Sequence, residues 1–373
     1  MIVDADAHVA ECTELFDAYL DPAFAGRRPK LIPARKYRGW WDFDGLVLPR
    51  QNGKGRGPQM GFAVGAECND VAAREQFLAE EGIDLMVVYP TTLIALCSFP
   101  DRDYASALAR AYNDWLADHC RQFGERVKGV AVVALQEPTE AIKEMRRAVD
   151  ERGHVGVVIP SMIGDRLVGD EAFLPFYAEA ERLDVAVGLH DVTGAYDLPG
   201  QQMFDTFFAT KAIARPHAFQ TALLSLMESG VFERYPRLRV ALLENGVGWL
   251  PYWLERMDTC YQMQVERGFA AEETPWLRRP PSEYLRRGQI YCHCESDERT
   301  LPESLAFLGD DVCFYASDFP HEEVTGSELK RLQARTDIGE QARAGILGAN
   351  ALRLYGPRLA VAVNARRAAT APA

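Results

Sequence analysis

The sequence predicts an eight-stranded (β/α)8 barrel, and three observations support this fold class. Eight short apolar runs rich in β-branched residues recur along the 373 residues, with helical patterns between them. Most of these runs are apolar throughout, as parallel strands are when helices cover both faces of the sheet. Eight strand–helix repeats fit a closed barrel with right-handed crossovers better than the alternative, an open doubly wound sheet.

The predicted strands alternate with helical segments that have recognisable ends. Gly82, Gly124 and Gly153 close three of these helices, because glycine readily adopts the left-handed conformation that ends a helix. The strands are predicted at residues 2–6, 84–89, 127–135, 155–159, 185–189, 238–243, 289–294 and 312–316.

Two stretches interrupt the repeat. Within residues 30–70, Asp44 and Gly45 stand between apolar segments and predict a hairpin, which the glycine-rich QNGKGRGPQMG follows. We interpret this stretch as an insertion after the first strand that forms a lid over the barrel mouth. Residues 1–356 are then a single barrel domain, and the alanine-rich residues 357–373 form a last helix or a frayed tail.

Composition and charge exclude several classes of function. With 48% hydrophobic and 25% charged residues, the chain has the balance of an ordinary globular protein. Its net charge of −13, without a compensating basic stretch, argues against nucleic-acid and anionic-membrane binding. No apolar run reaches the roughly 18 residues of a membrane span, and the start of the chain lacks an export signal. We therefore expect a cytoplasmic protein.

Polar side chains stand at or just beyond the ends of five predicted strands, where a barrel of this type builds its active site. A single histidine there is more often structural, and a single aspartate is usually a turn or a helix cap. Four of the seven histidines lie at these ends, however, which favours a functional cluster. The residues are Asp6 and His8 at strand one, His190 at strand five, Glu244 and Asn245 at strand six, His293 and Glu295 at strand seven, and Asp318 and His321 at strand eight.

Four of these residues form a plausible metal-ligand set: Asp6, His8, His190 and Asp318. Strands one and eight are neighbours in a closed barrel and strand five lies across the mouth, so these side chains can converge. Two imidazoles and two carboxylates suit Zn²⁺, Mn²⁺ or Fe²⁺ and can leave a position open for water or substrate.

Five segments resemble the amidohydrolase superfamily, in the branch around aminocarboxymuconate-semialdehyde decarboxylase and resorcylate decarboxylase. They are DADAH, VGLHD, SGVFERYPRLRVALLENGVGWLPYWLERMD, PPSEYLRR and GDDVCFYASDFPH, and the match is collinear from residue 1 to about residue 356. The resemblance implies a (β/α)8 barrel that binds one divalent metal, commonly zinc or manganese. It also implies a small-molecule substrate and a homodimer or higher homo-oligomer.

The resemblance assigns roles to the predicted ligands. The usual first motif is H-x-H, and Asp6 and His8 stand at its positions; an acid at the first position also occurs in the resorcylate type. His190 corresponds to the strand-five ligand. Asp318 corresponds to the strand-eight carboxylate that binds metal and can shuttle protons.

One departure concerns the acid–base residue. In the decarboxylases strand six ends in a histidine that acts in acid–base catalysis, and Asn245 stands at that position here. A neutral amide can orient a substrate but cannot transfer a proton at pH 7. His217, in ARPHAFQ, is the candidate substitute, although it is equally consistent with a helix residue that has no chemical role; His293 and His321 are further candidates.

Three functions remain open at this point. The first is metal-dependent, non-oxidative decarboxylation of a hydroxylated aromatic or enoic carboxylic acid, with Asp318 or His217 as the proton donor. The second is metal-dependent hydrolysis of an amide, lactone or related bond, with Asp318 as the base. The third is a barrel that binds a ligand without catalysis, suggested by the departures at Asp6 and Asn245. For either enzymatic function, we expect the substrate to be contacted by Asn245, Glu244, His293, Glu295 and His321.

Overall fold

Eight parallel strands form one sheet in the order in which they occur along the chain, and helices surround it. The structure is a computed structural model that describes residues 1–33, 39–48, 69–191, 203–321 and 327–361. The strands are β1 (Val3–His8), β2 (Leu85–Tyr89), β3 (Val127–Val132), β4 (Gly156–Ile159), β5 (Ala186–Leu189), β6 (Val240–Leu242), β7 (Ile290–His293) and β8 (Cys313–Phe314). The predicted fold class is confirmed.

The observed strand ends differ from the predicted ends at two places that matter. Strand β1 continues through His8, so Asp6 and His8 lie within the strand and not beyond it. Strand β3 stops at Val132, three residues before the predicted end, because the next residues turn towards a helix that begins at Pro138. Glu137 N donates to Ala134 O within that turn.

Hydrogen bonds between β1 and the β8 segment close the barrel. Ala5 N donates to Tyr315 O at 3.0 Å, and Asp318 N donates to Asp6 O at 3.1 Å. Asp4 adds side-chain bonds at the same place, because its carboxylate accepts from Ser317 N at 2.9 Å and from Ser317 Oγ at 2.5 Å. The first and the last strand of the barrel are therefore joined through the residues that precede Asp318.

Fourteen α-helical segments occur within the described residues. They are α1 (Thr13–Tyr19), α2 (Val71–Glu81), α3 (Arg102–Arg121), α4 (Pro138–Arg146), α5 (Leu174–Leu183), α6 (Phe207–Glu228), α7 (Val231–Arg234), α8 (Leu250–Arg267), α9 (Ala270–Glu273), α10 (Pro281–Arg286), α11 (Leu301–Leu308), α12 (Glu328–Ala334), α13 (Glu340–Ala344) and α14 (Asn350–Tyr355). Helix α2 illustrates how the sequence sets their ends. Asp70 accepts from Ala73 N as the N-cap, and Gly82, at φ 70°, ends the helix.

Short elements complete the fold. They are 3₁₀ turns at Pro22–Arg27, Leu93–Ser98 and Glu171–Phe173, π-helical turns at Arg147–Glu151 and Gly345–Ala349, and the paired strands Met162–Ile163 and Arg166–Leu167. A three-stranded antiparallel sheet follows α1 and contains Lys30–Ile32, Trp40–Phe43 and Leu46–Leu48.

The hairpin in this small sheet lies where the sequence places one. Asp44 and Gly45 both have positive φ, 55° and 92°, as a tight two-residue turn between twisted strands requires. Trp41 packs edge-on against Phe16 at 5.3 Å, so the hairpin is fixed to α1. The glycine-rich residues 49–68 lie outside the described residues, and the lid role stays a prediction.

The C-terminal segment and the domain division also remain predictions. Residues 357–361 are helical, and residues 362–373 lie outside the described part of the chain. Among the described helices, none combines the length and the apolar character needed to cross a membrane.

We predict that replacing His154 by glutamine makes stability less sensitive to acid. His154 is buried below β4, and its Nε2 donates to Asn113 O at 2.9 Å. Burial lowers the pKa of His154 from 6.5 to about 4. The unfolded chain therefore binds a proton that the folded chain does not, and stability falls as the pH drops from 6.5 towards 4.

Between pH 6.5 and pH 4, the free energy of unfolding of the wild type is expected to fall by about 3 kcal/mol more than that of His154→Gln. It is measured by denaturant titration at a series of pH values. His119, whose pKa burial also lowers to about 4, is present in both proteins and cancels in the comparison. Parallel pH curves for the two proteins would contradict the prediction.

Candidate active site

The alternating polar residues of β1 have different partners although they lie in one strand. Asp4 binds the β8 segment through Ser317, as described above. Asp6 and His8 lie nearer the C-terminal end of the strand, at the barrel mouth, and are completely buried. The opening DADAH thus combines one residue that closes the barrel with two that form the site.

His8 presents an unprotonated nitrogen to the site. Its Nδ1 lies 2.8 Å from Pro90 O, and because a carbonyl oxygen can only accept, Nδ1 carries the proton. Burial lowers the pKa of His8, which favours the neutral ring. Its Nε2 therefore points a lone pair at Glu244 Oε1, 3.0 Å away, and at Asp318 Oδ1, 3.3 Å away.

Glu244 lies at the centre of the cluster. Its Oε1 is 3.0 Å from His8 Nε2 and 3.3 Å from His190 Nε2, while Oε2 is 2.7 Å from Arg215 Nη1. Burial by itself raises the pKa of Glu244, but the nearby Arg215 guanidinium is the largest influence in the opposite direction, and the pKa lies well below its usual range. Glu244 is therefore a carboxylate.

Asp6 and His190 complete one side of the cluster without hydrogen bonds of their own. The two oxygens of Asp6 lie 3.6 Å from His8 Nε2 and from His190 Nε2, and neither accepts a hydrogen bond from a described residue. Neither ring nitrogen of His190 has a hydrogen-bond partner among the described residues. Buried polar atoms without partners are costly and mark a place where another group belongs.

These residues fit a divalent cation. The ligand atoms of Asp6, His8, His190 and Glu244 lie within 4.8 Å of one another, and a second set overlaps with the first and comprises His8, Glu244, Asp318 and His321. Burial and the Glu244 carboxylate raise the pKa values of Asp6 and Asp318 well above their usual range. Carboxylates and imidazoles that face one another without donors are stabilised by a cation between them.

Asp318 is also linked to a second histidine. His321 Nδ1 lies 2.7 Å from Asp318 Oδ1, and His321 Nε2 lies 3.1 Å from Thr91 Oγ1. The His321 ring stacks on His8 with the ring centroids 4.2 Å apart. Asp318 itself has φ 55°, a conformation uncommon for a residue other than glycine, which directs its carboxylate towards the cluster.

The loop after β6 is shaped around Glu298. This carboxylate accepts hydrogen bonds from Val247 N, Gly248 N and Glu295 N. A Cβ at Gly246, which has φ 58°, would lie 2.7 Å from Glu298 Oε1, so only glycine fits there. Glycine at position 246 is therefore required for the loop that carries Glu244, itself at φ 51°.

Arg74 supports the other end of the cluster. It is fully buried on α2, and its Nη2 donates to His8 O at 2.6 Å. Its guanidinium also lies over the Phe319 ring, 5.1 Å from the centroid. Arg74 thus connects the end of β1 with the segment that carries Asp318.

The structure places the remaining predicted site residues around this cluster. His293 is buried, and its Nδ1 lies 3.8 Å from Glu295 Oε1. The charge of Glu295 helps to raise the pKa of Asp6, after burial and the nearer carboxylates, so Glu295 is within electrostatic reach of the site. Asn245 is half-buried, and its Nδ2 has no hydrogen-bond partner among the described residues.

His217 lies on α6, half-buried, and belongs to neither of the two ligand sets found among the described residues. Its Nδ1 has no described hydrogen-bond partner. Its role as a proton donor stays a prediction. Arg215, two positions earlier on α6, reaches the cluster through Glu244, and no sequence motif marks it.

The fold and the site together define a metal-dependent enzyme built on a (β/α)8 barrel. Comparison with known proteins specifies the family: the chain belongs to the amidohydrolase family, whose model, Amidohydrolase, matches residues 3–356. The predicted resemblance is confirmed.

Relatives and solved structures lie in the predicted branch. The chain is 29% identical over 300 residues to γ-resorcylate decarboxylase from Rhizobium radiobacter, covering 76% of this chain and 86% of the relative. It is 24% identical over 299 residues to 2-amino-3-carboxymuconate-6-semialdehyde decarboxylase from Dictyostelium discoideum, covering 79% and 78%. A crystal structure of 5-carboxyvanillate decarboxylase from Novosphingobium aromaticivorans, complexed with manganese and 4-hydroxy-3-methoxy-5-nitrobenzoic acid, superimposes with a TM-score of 0.69 at 22% identity. That comparison covers 95% of this chain and 96% of the other.

We predict that Glu298→Ala destabilises the loop after β6. The substitution leaves three backbone N–H groups without their acceptor, and this loss costs about 1–3 kcal/mol in the free energy of unfolding where the groups are shielded from water. Denaturant unfolding of the metal-free protein measures the loss. Glu303→Ala, in the first turn of α11, removes a carboxylate near the start of a helix and serves as the control. Equal stability of the two variants would contradict the assignment of Glu298.

Proposed function

We propose that this protein is a metal-dependent decarboxylase of a hydroxylated aromatic or enoic carboxylic acid. The observation that carries the proposal is the buried cluster of carboxyl and imidazole groups at the barrel mouth, formed by Asp6, His8, His190, Glu244 and Asp318. Two relatives also support the proposal. As their names state, both remove a carboxyl group from their substrates: γ-resorcylate decarboxylase and 2-amino-3-carboxymuconate-6-semialdehyde decarboxylase.

The residues that would hold the cation are Asp6, His8, His190 and Asp318, with Glu244 beside them. Zinc and manganese both suit imidazole and carboxylate ligands, and manganese is the ion named with the 5-carboxyvanillate decarboxylase structure. A divalent ion bound there supplies Lewis-acid polarisation of the substrate carboxylate and a neighbouring oxygen.

Asp318 is the group best placed to transfer a proton. In decarboxylation the bond between the ring carbon and the carboxyl carbon breaks, CO₂ leaves, and a proton takes the vacated position on the ring carbon. His321 is hydrogen-bonded to Asp318 and to Thr91, so it holds the Asp318 carboxyl in place and can return a proton to it.

Hydrolysis of an amide or lactone is the second candidate, and Glu244 is the observation that favours it. The strand-six end brings an ionised carboxylate, paired with Arg215, into the cluster. A carboxylate held in this state has no proton to donate, so it cannot replace the acid–base histidine of the decarboxylases, whereas a hydrolase needs only a base that takes a proton from the attacking water. In that reaction Asp318 accepts the proton of the water and passes it to the leaving group.

We further propose that the protein acts in the cytoplasm and assembles as a homodimer or higher homo-oligomer. These statements are supported by the family to which the chain belongs. Light scattering after size exclusion measures the assembly directly.

We predict that the purified protein carries about one zinc or manganese ion per chain. His190→Ala and Asp318→Ala are expected to reduce the metal content to a small fraction of this value, because each removes a ligand. Elemental analysis of protein prepared without chelators gives the result. If the wild-type protein contains no metal and cannot be loaded with zinc or manganese, the result would instead support the hypothesis of a barrel that binds a ligand without catalysing a reaction.

We predict that the loaded enzyme releases CO₂ from a hydroxybenzoate such as 2,6-dihydroxybenzoate, the substrate of a structural neighbour. In D₂O the product acquires one deuterium at the carbon that carried the carboxylate. Asp318→Asn is expected to lower kcat at least about 100-fold, the usual contribution of a general acid. Turnover of lactones or amides, without CO₂ release from a panel of aromatic acids, would favour the hydrolase.

A further inference from the structure

Glu244, with its partner Arg215, directly precedes Asn245, which stands where the related decarboxylases carry an acid–base histidine. We propose that Arg215 positions Glu244 as an additional metal ligand, with Oε2 bound to the guanidinium and Oε1 directed at the metal. The proposal rests on the proposed function, since it assumes a metal at this site. It adds Glu244 to the four predicted ligands, and it makes Arg215 a positioning residue.

The first argument is the direction of Oε1. This one oxygen lies 3.0 Å from His8 Nε2 and 3.3 Å from His190 Nε2, two nitrogens that come from strands on opposite sides of the barrel. Glu244 and His8 are also the two residues shared by both ligand sets. An oxygen that already lies between two ligand nitrogens is placed to share a cation with them.

The second argument is that Arg215 binds Glu244 at two places. Its Nη1 lies 2.7 Å from Glu244 Oε2 and donates to the Glu244 backbone oxygen at 3.2 Å. One guanidinium group thus fixes both the side chain and the backbone of the same residue. Because Oε2 is engaged, only Oε1 is turned towards the two histidines.

The third argument is the backbone around Glu244. Glu244 has φ 51°, and Val247 N and Gly248 N in the same loop donate to the Glu298 carboxylate, so the loop has little freedom to turn the Glu244 carboxylate elsewhere. A rigid support of this kind is typical of metal ligands, whose partners in the surrounding protein fix their orientation. Arg215 and the Glu298 loop together provide this support.

The consequence concerns the role of the end of strand six. In this chain Asn245 replaces the proton-transferring ring, and the neighbouring Glu244 supplies a negatively charged ligand. The proton-transfer work then falls to residues at other strand ends, with Asp318 the nearest. Five protein donors also favour an ion that accepts more than four ligands, which manganese does more readily than a tetrahedral structural zinc.

The test compares the manganese affinity of four variants with that of wild type, by competition with a chelator. Glu244→Gln keeps the shape of the side chain and removes its charge. Arg215→Met removes the guanidinium, and Arg215→Lys retains a positive charge. Arg239→Met is the matched control, because Arg239 makes an ion pair of the same length, 2.7 Å to Asp184, and its side chain is exposed to a similar extent, 16% against 19% for Arg215.

We expect Glu244→Gln and Arg215→Met to weaken manganese binding by about 10–100-fold, Arg215→Lys to recover part of the loss, and Arg239→Met to bind as wild type does. The electron paramagnetic resonance spectrum of bound Mn²⁺ should change in Glu244→Gln and Arg215→Met alone. Thermal unfolding of the metal-free proteins checks that each variant is folded.

The outcomes separate this inference from the proposed function. If wild type binds manganese, His190→Ala loses it and Glu244→Gln retains full affinity, Glu244 is not a ligand and only the inference is overturned. If Arg215→Met and Arg239→Met weaken binding equally, Arg215 has no particular role in the site. If wild type binds neither manganese nor zinc, the proposed function fails, and the inference fails with it.

Discussion

The site depends on one constraint: the fold holds hydrogen-bond acceptor atoms close together at the barrel mouth although they repel one another. The proton on His8 Nδ1 is committed to Pro90 O, so Nε2 faces three carboxylates with its lone pair. Burial withholds the water that would otherwise solvate these groups. The supporting residues act against this repulsion, because Arg215 binds Glu244 and Arg74 holds the backbone of His8. The fold therefore maintains an arrangement that a cation completes.

Negative charge also bears on the order of events in the proposed reaction. The chain carries a net charge of −13, and Asp6, Glu244 and Asp318 place three carboxyl groups within one small volume. A carboxylate substrate adds another negative charge, which such a volume repels. A bound cation reverses the sign of the local potential. On the proposed function, metal binding must therefore precede substrate binding.

The sequence predicted the barrel well because buried parallel strands have a strong local signal. It also predicted Asp6, His8, His190 and Asp318 as neighbours, since the C-terminal ends of barrel strands converge whatever the details of packing. It did not separate Glu244 from Asn245, because a positive φ at the strand end decides which of two adjacent side chains turns inward. Such a dihedral angle has no signature in the order of residues.

Long-range partners were beyond the reach of sequence patterns. Arg215 follows a long connection after β5, and no motif relates it to a glutamate 29 positions later. Glu298 lies 51 positions from the Val247 N–H group that it binds. The glycines of GVG are an indirect sign, because glycine is favoured where another group approaches the backbone closely or where φ is positive. The identity of that group required the structure.

The way in which the barrel closes has a consequence for synthesis of the protein in the cell. Strand β1 is synthesised before the other seven strands of the barrel, but its partners on one side, Tyr315 and Ser317, are more than 300 residues away. Until they are made, β1 presents an unpaired edge, and Asp4 lacks its hydrogen-bond partner. Unpaired edges bind other strands, including those of neighbouring nascent chains. The same late event that seals the barrel brings Asp318 to His8, so no shorter nascent chain has a complete site.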